Sequence, residues 1–383
     1  MVERGGALAG FRLQLPESLA QRLNQNPLSP AAVAHYRALL AAAAPLAAAG
    51  KVALVDMPCW ALAREGVAGA VSPGTWLCVG DIASLPARVL TLLQRRGVFV
   101  GVHDSPPRRE PPVDFVVLQV QAGGLDTLVL SAQRWSEYLP RVKVVALGLA
   151  HIEDVEQALR AGAHLACGTF NRSAPAAIRR ELGSAAHRVC ELLNHLALDS
   201  DTAVIADAVR SDVAMAYRLL RYANSAAMGP PQPVETVDQA VLLLGRGELY
   251  RWLSVQLLLS ANSRQASRAL QETALARGRL LELVARQRGE SAPGAFFTLG
   301  MLSLIEVLLQ VPLPQALQSL RLSEPACSAL LRREGPQADY LALLDAMDSG
   351  MGADIEACAF ALGITAELEA LSEQAWTWAA GVV

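Results

Sequence analysis

The chain has 383 residues, 52% of them hydrophobic and 18% charged, with a formal net charge of -3, which describes a folded chain large enough for two cores. The slight acidic excess excludes the concentrated Lys and Arg surface that sequence-independent phosphate binding requires, so no nucleic-acid partner is expected. Six cysteines (Cys59, Cys78, Cys167, Cys190, Cys327 and Cys358) stand singly with no CxxC pair, which excludes a zinc knuckle or a disulfide framework and leaves them as small apolar core residues.

The N-terminal stretch MVERGGALAGFRLQLPE lacks the sustained apolar run of a signal peptide. Elsewhere apolar runs are broken by charge, Gly or Pro before the roughly 20 residues a membrane span needs, so the expectation is a cytoplasmic protein with no membrane partner. From residue 11 onward short apolar runs recur: FRLQL (11–15), VALVD (52–56), WLCVGD (76–81), VFVGVHD (98–104), FVVLQV (115–120), VKVVALGL (142–149) and HLACGTF (164–170). Near-continuous apolar character predicts strands buried on both faces. Between them, SLPARVLTLLQRRG and HIEDVEQALRAG carry apolar residues at helical spacing, as with Val155, Ala158 and Leu159. Repeated strand then helix predicts a parallel sheet with crossover helices, and about seven such units favour a β/α barrel over an open sheet.

After NRSAPAAIRRELGSAA the strand pattern stops. In SDVAMAYRLLRYANSAAMGPPQP, Val213, Ala216, Tyr217 and Leu220 are read as one helical stripe that ends at Gly229 and Pro230. Thr236 and Gln239 form a capping box that starts the helix TVDQAVLLLG. The fold class is therefore α/β plus all-α, divided as 1–175 and 176–383.

The stretch DVAMAYRLLRYANSAAMGPPQPVETVDQAVLLLGRGELYRWL (212–253) resembles the signature of HDOD domains, with Asn224, Ser225, Gly229 and Pro233 in the cluster and loop after the first helix. The resemblance implies a helical fold related to metal-dependent HD phosphohydrolases and a regulatory role in bacterial signalling. An HD hydrolase would carry its His-Asp pair in FFTLGMLSLIE (296–306), where this chain has Ser303 and Leu304, and an earlier histidine near Glu272 and Thr273. Leucine offers no donor and a serine hydroxyl is a poor substitute for imidazole, so that metal chemistry is expected to be absent. A carboxylate pair of Glu272 and Glu306 is the sharper alternative; solvated or locally paired helix residues are the plainer one. Asn224 and Ser225 either shape the Pro-rich loop or face a partner, and Tyr222, Met228 and Trp252 are either core or contact surface.

The first half, above all VKVVALGLAHIEDVEQALRAGAHLACGTFNRS (142–173), resembles the EAL domain, the β/α barrel that hydrolyses cyclic di-GMP, shortened here at its start. The resemblance implies carboxylates and an Asn holding two divalent metals at the C-terminal strand ends. Those places read Cys78 for the namesake Glu, Asp56 for the Asn, His103 and Asp104 for the Asp pair, and Val117 and Gln119 for the Lys-x-Asp. Leu147, Gly148 and Ala150 stand where acid or base is expected, and Cys167 where the last strand carries Gln. What remains is Asp56, Asp81, His103, Asp104, Gln119 and His151: either loop and helix caps, or a reworked site in which the three aspartates hold one Mg2+ with His103 as proton carrier. The expectation is a non-catalytic signalling protein that acts on a regulatory protein partner, with no cofactor or metal. Cyclic di-GMP is kept as a candidate ligand, and a sensor or a weak cyclic di-GMP phosphodiesterase as the alternative.

Overall fold

Each of the seven apolar runs forms a strand, because side chains on both faces find an apolar partner: the barrel interior on one side and the crossover helices on the other. In the computed structural model these are β2 (Gly10–Leu13), β3 (Val52–Asp56), β4 (Trp76–Val79), β5 (Phe99–His103), β6 (Phe115–Gln119), β7 (Lys143–Leu149) and β8 (Leu165–Gly168), preceded by β1 (Val2–Glu3). Residues 28, 104–112, 121–123, 139–140, 169–180, 226–227, 231, 261–266 and 383 lie outside the described structure. The sheet has eight strands in the order β1-β8-β7-β6-β5-β4-β3-β2. Every pairing from β2 to β8 is parallel, and β1 is antiparallel to β8.

The sheet is barrel-like because one hairpin joins its two ends. Val2 bridges Leu8 in antiparallel fashion, the Met1 amino group donates to Gly10 O at 2.7 Å, and Ala9 N donates to Met1 O at 2.9 Å. The apolar pattern marks seven of the eight strands; β1 is two residues long, too short for any periodicity to mark it. Helices α1 (Glu17–Gln25), α2 (Pro30–Ala48), α3 (Cys59–Leu62), α4 (Ala87–Arg95), α5 (Gly124–Tyr138) and α6 (Ile152–Arg160) connect the strands. Among the described residues, α2 is the one helix long and apolar enough to cross a membrane; its Ala32, Tyr36, Leu40 and Ala43 are buried, and it packs on β3.

The chain divides into two compact units, Met1–Ala174 and Pro175–Val383. The second unit is helical throughout its described residues: α7 (Ser184–Ala197), α8 (Thr202–Arg210), α9 (Val213–Ala223), α10 (Val237–Leu259), α11 (Ser267–Gln287), α12 (Pro293–Leu302), α13 (Ile305–Leu309), α14 (Leu313–Gln318), α15 (Glu324–Arg332), α16 (Ala338–Ser349), α17 (Gly352–Ala361) and α18 (Leu368–Ala380). Thr236 Oγ1 accepts from Gln239 N while Gln239 Oε1 accepts from Thr236 N, so α10 starts at the capping box. It is interrupted at Gly245 (φ 66°, ψ 173°), a conformation that suits only glycine. The α9 stripe is corrected: Met215, Leu219 and Ala223 face the core, while Val213 is 82% and Tyr217 65% exposed. Both sets satisfy helical spacing, and only packing decides between them.

Of the six cysteines, all free, Cys78 and Cys190 are buried and the other four are half-buried, so core placement holds for two.

Candidate functional site

Alternation along the parallel strands sends Leu54, Trp76, Phe115, Val117, Val145 and Leu147 into one interior core that also includes Cys78. Continuing each strand in the same phase brings polar residues to its C-terminal end. These line a cavity of about 570 Å3 whose walls include Arg12, Tyr36, Asp56, Cys78, His103 and Gln119.

Its electrostatic centre is an ion pair. Arg12 donates to Asp56 Oδ2 from Nε at 2.8 Å and from a terminal nitrogen at 2.6 Å. Both side chains are 24% exposed. The other oxygen, Asp56 Oδ1, is buried, has no nitrogen or hydroxyl donor among the described residues, and lies 3.9 Å from His103 Nε2. Asp56 and Cys78 are paired across β3 and β4. Burial, and then the nearby Asp56 charge, push the Cys78 thiol far above its ordinary range, so on its own it stays protonated at neutral pH.

The structure thus gathers Asp56, Cys78, His103 and Gln119 from the expected set at one cavity, which Asp81 and His151 do not line. Asp81 caps the turn after β4, accepting from Ala83 N at 3.0 Å and Ser84 Oγ at 2.8 Å. His151 starts α6, its backbone N donating to Asp154 Oδ2 at 3.0 Å. Asp104 lies outside the described residues. Arg12, which the sequence reading did not single out, is the residue that reorganises the site. Among the described strand residues that line the cavity Asp56 is the one carboxylate, a guanidinium holds one of its oxygens, and Glu17 of α1 lines the same cavity.

In the helical unit, FFTLGMLSLIE is mostly core: Phe296, Phe297, Leu299, Met301, Leu302 and Leu304 are buried. Ser303 Oγ donates to Gly300 O at 2.6 Å and accepts from Arg277 at 2.9 Å, and Arg277 also pairs with Asp348. A fixed guanidinium at Ser303 opposes any cation there. Glu306 accepts from Leu313 N at 3.0 Å, securing the start of α14. Glu272 is buried and has an interaction partner, which leaves the paired form of its plainer reading and removes the solvated one.

Asn224 clamps the Pro-rich loop: Oδ1 accepts from Val234 N at 2.8 Å, and Nδ2 donates to Val234 O at 2.8 Å and Leu220 O at 2.9 Å. Ser225 Oγ is buried without a partner among the described residues, whereas Gly229 and Pro233 are exposed along that loop. Trp252 is core, and Tyr222 donates to Glu248 at 2.6 Å. A cluster that no sequence motif marks surrounds Glu282, which is 2% exposed and accepts from Arg251, Arg279 and Arg286.

Residues 181–330 match the family model of the HDOD domain. This segment is an HDOD domain. It holds Asn224, Ser225, Gly229, Pro233, Glu272, Ser303 and Leu304, and extends from the residues just before α7 to α15.

The chain is also similar to YuxH of Bacillus subtilis strain 168, an uncharacterized protein, at 28% identity over 196 residues, 50% of this chain and 47% of YuxH. It is 25% identical over 296 residues to the cyclic di-GMP phosphodiesterase CdgJ of Vibrio cholerae serotype O1, covering 74% of this chain and 68% of CdgJ. The chain therefore spans about half the length of YuxH and about two thirds of CdgJ. Among solved structures it is similar to a Shewanella amazonensis SB2B protein described as a metal-dependent phosphohydrolase, with 16% identity, a TM-score of 0.36 and coverage of 53% of this chain and 93% of that one.

Proposed function

We propose that the chain is a non-catalytic regulator related to cyclic di-GMP signalling, with a degenerate EAL-type barrel ahead of its HDOD domain, and that it acts by binding a regulatory protein partner. The observation that carries this reading is the Arg12–Asp56 pair in the barrel mouth. Hydrolysis of the EAL kind needs oxygen donors around two divalent ions to activate a water. Arg12 takes up one oxygen of the one carboxylate on the described cavity-lining strands, which leaves too few oxygen donors there for two such ions.

Likeness to CdgJ and the HDOD match support the link to cyclic di-GMP signalling. The guanidinium of Arg277 at Ser303 argues against metal hydrolysis in the helical half as well. Protein contact is supported by large apolar side chains left on the HDOD surface, Val213 and Tyr217 on α9 and Leu242 on α10, the last 71% exposed.

One observation favours a second reading, a cyclic di-GMP sensor: the cavity is of ligand size and carries Arg12, which can meet a phosphate. Calorimetric titration of cyclic di-GMP into the full chain separates the two. The proposal expects no saturable heat; saturable heat lost in Arg12→Ala would replace it with the sensor.

A further inference from the structure

We propose that Asp56 Oδ1, Cys78 Sγ and His103 Nε2 bind one transition-metal ion of borderline softness, Zn2+ or a chemical equivalent, in the mouth of the barrel-like sheet. The inference rests on the reading above only in that the mouth does not hold a pair of oxygen-ligated ions.

The three donor atoms lie within 4.8 Å of one another. They come from three adjacent strands, β3, β4 and β5, whose parallel pairing fixes their spacing. Zn2+ takes sulfur at about 2.3 Å, imidazole nitrogen at about 2.0 Å and carboxylate oxygen at about 2.0 Å, so donors around a shared ion stand roughly 3 to 4 Å apart. His103 Nε2 and Asp56 Oδ1 are already 3.9 Å apart. One sulfur, one nitrogen and one oxygen suit Zn2+, Co2+ or Cu2+ and are a poor set for Mg2+ or Ca2+, which demand oxygen.

Arg12 supports the site. Both of its hydrogen bonds go to Oδ2, which leaves Oδ1 turned toward Cys78 and His103. Among the described residues that oxygen is buried with no nitrogen or hydroxyl donor, and the Cys78 thiol and His103 Nε2 are the groups that face it. A partner on the far oxygen is how carboxylate ligands are ordinarily oriented. Three protein donors leave a fourth position, which faces the cavity of about 570 Å3 and is open to an exchangeable ligand.

The test uses the full chain stripped with a chelator and titrated with Co2+ as a spectroscopic probe, followed by Zn2+ and Mg2+ as competitors. The expected result is a near-ultraviolet thiolate-to-cobalt band saturating at one ion per chain, displaced by Zn2+ and untouched by excess Mg2+. Cys78→Ser abolishes the band, while Cys59→Ser, outside the donor set, leaves it intact. No thiolate band, a band that survives Cys78→Ser, or displacement by Mg2+ would overturn the proposal. Should Cys78→Ser fail to fold, His103→Gln carries the test, since that side chain is 42% exposed and dispensable to the core. It is expected to weaken Co2+ binding by more than about tenfold, and unchanged affinity overturns the proposal. Hydrolysis of cyclic di-GMP with Mg2+ would defeat the regulator reading while leaving the cobalt readout unaffected, so the two failures are distinguishable.

Discussion

Replacing Glu282 with glutamine keeps the shape of the side chain and removes its charge. Glu282 is 2% exposed and is met by Arg251 at 3.0 Å, Arg279 at 2.8 Å and Arg286 at 2.6 Å. The three cations are not equivalent. Arg286 is more than half exposed, so solvent screens its share to well under about 1 kcal/mol. Arg251 and Arg279 are mostly buried, Arg251 stacks on the rings of Phe297 and Trp378, and Arg279 Nε is buried with no other hydrogen-bond partner. Both depend on the Glu282 charge to offset their desolvation. Removing one partner of a buried ionic cluster costs about 3 to 5 kcal/mol. Glu282→Gln is therefore expected to lower the stability of the helical unit by that amount, and Arg286→Ala by less than about 1 kcal/mol. Urea unfolding of the full chain, followed by tryptophan fluorescence with Trp378 as the local reporter, measures both. Equal effects from the two variants, or less than about 1 kcal/mol from Glu282→Gln, would refute the reasoning.

Further expectations concern the barrel and the HDOD loop. A Cβ added at Gly101 would lie 2.3 Å from the fully buried ring of Phe115, so Gly101→Ala should destabilise the barrel by about 1 to 3 kcal/mol in the same urea experiment; no change would contradict the packing. Asn224→Ala removes the clamp on both backbone groups of Val234, and hydrogen exchange at the Val234 amide should accelerate by about fivefold, as the loss of about 1 kcal/mol implies. Unchanged exchange would show the clamp to be idle. His164 accepts from Val144 N at 3.1 Å, and burial lowers its pKa below the ordinary 6.5. As pH falls through 6.5 the unfolded chain takes up this proton first, so barrel stability should decline below that pH and the decline should shrink in His164→Gln. An identical pH profile in the variant would exclude this residue as the cause.

Much of the fold was legible because it depends on local pattern. The seven apolar runs became β2 to β8, and the capping box at Thr236 placed the start of α10. What escaped depended on contacts made far along the chain. β1 is a strand only because it bridges β8 and Leu8, with no pattern of its own. The face of α9 could not be assigned, since Val213 and Tyr217 obey the same spacing as Met215 and Leu219. In the site, Asp56, Cys78 and His103 could be placed from strand ends alone. Arg12 could not, because a cation inside the run FRLQL looks like a solvent-facing residue until Asp56, 44 positions later, is seen beside it. The same holds for Arg277, whose partners Ser303 and Asp348 lie on other helices or beyond them.

The measurement that tests the central claim most directly is product analysis after incubating the full chain with cyclic di-GMP and Mg2+ or Mn2+, beside an active phosphodiesterase as control. The account predicts that the cyclic dinucleotide is recovered intact. Metal-dependent release of the linear dinucleotide, abolished by Asp56→Ala, would contradict it.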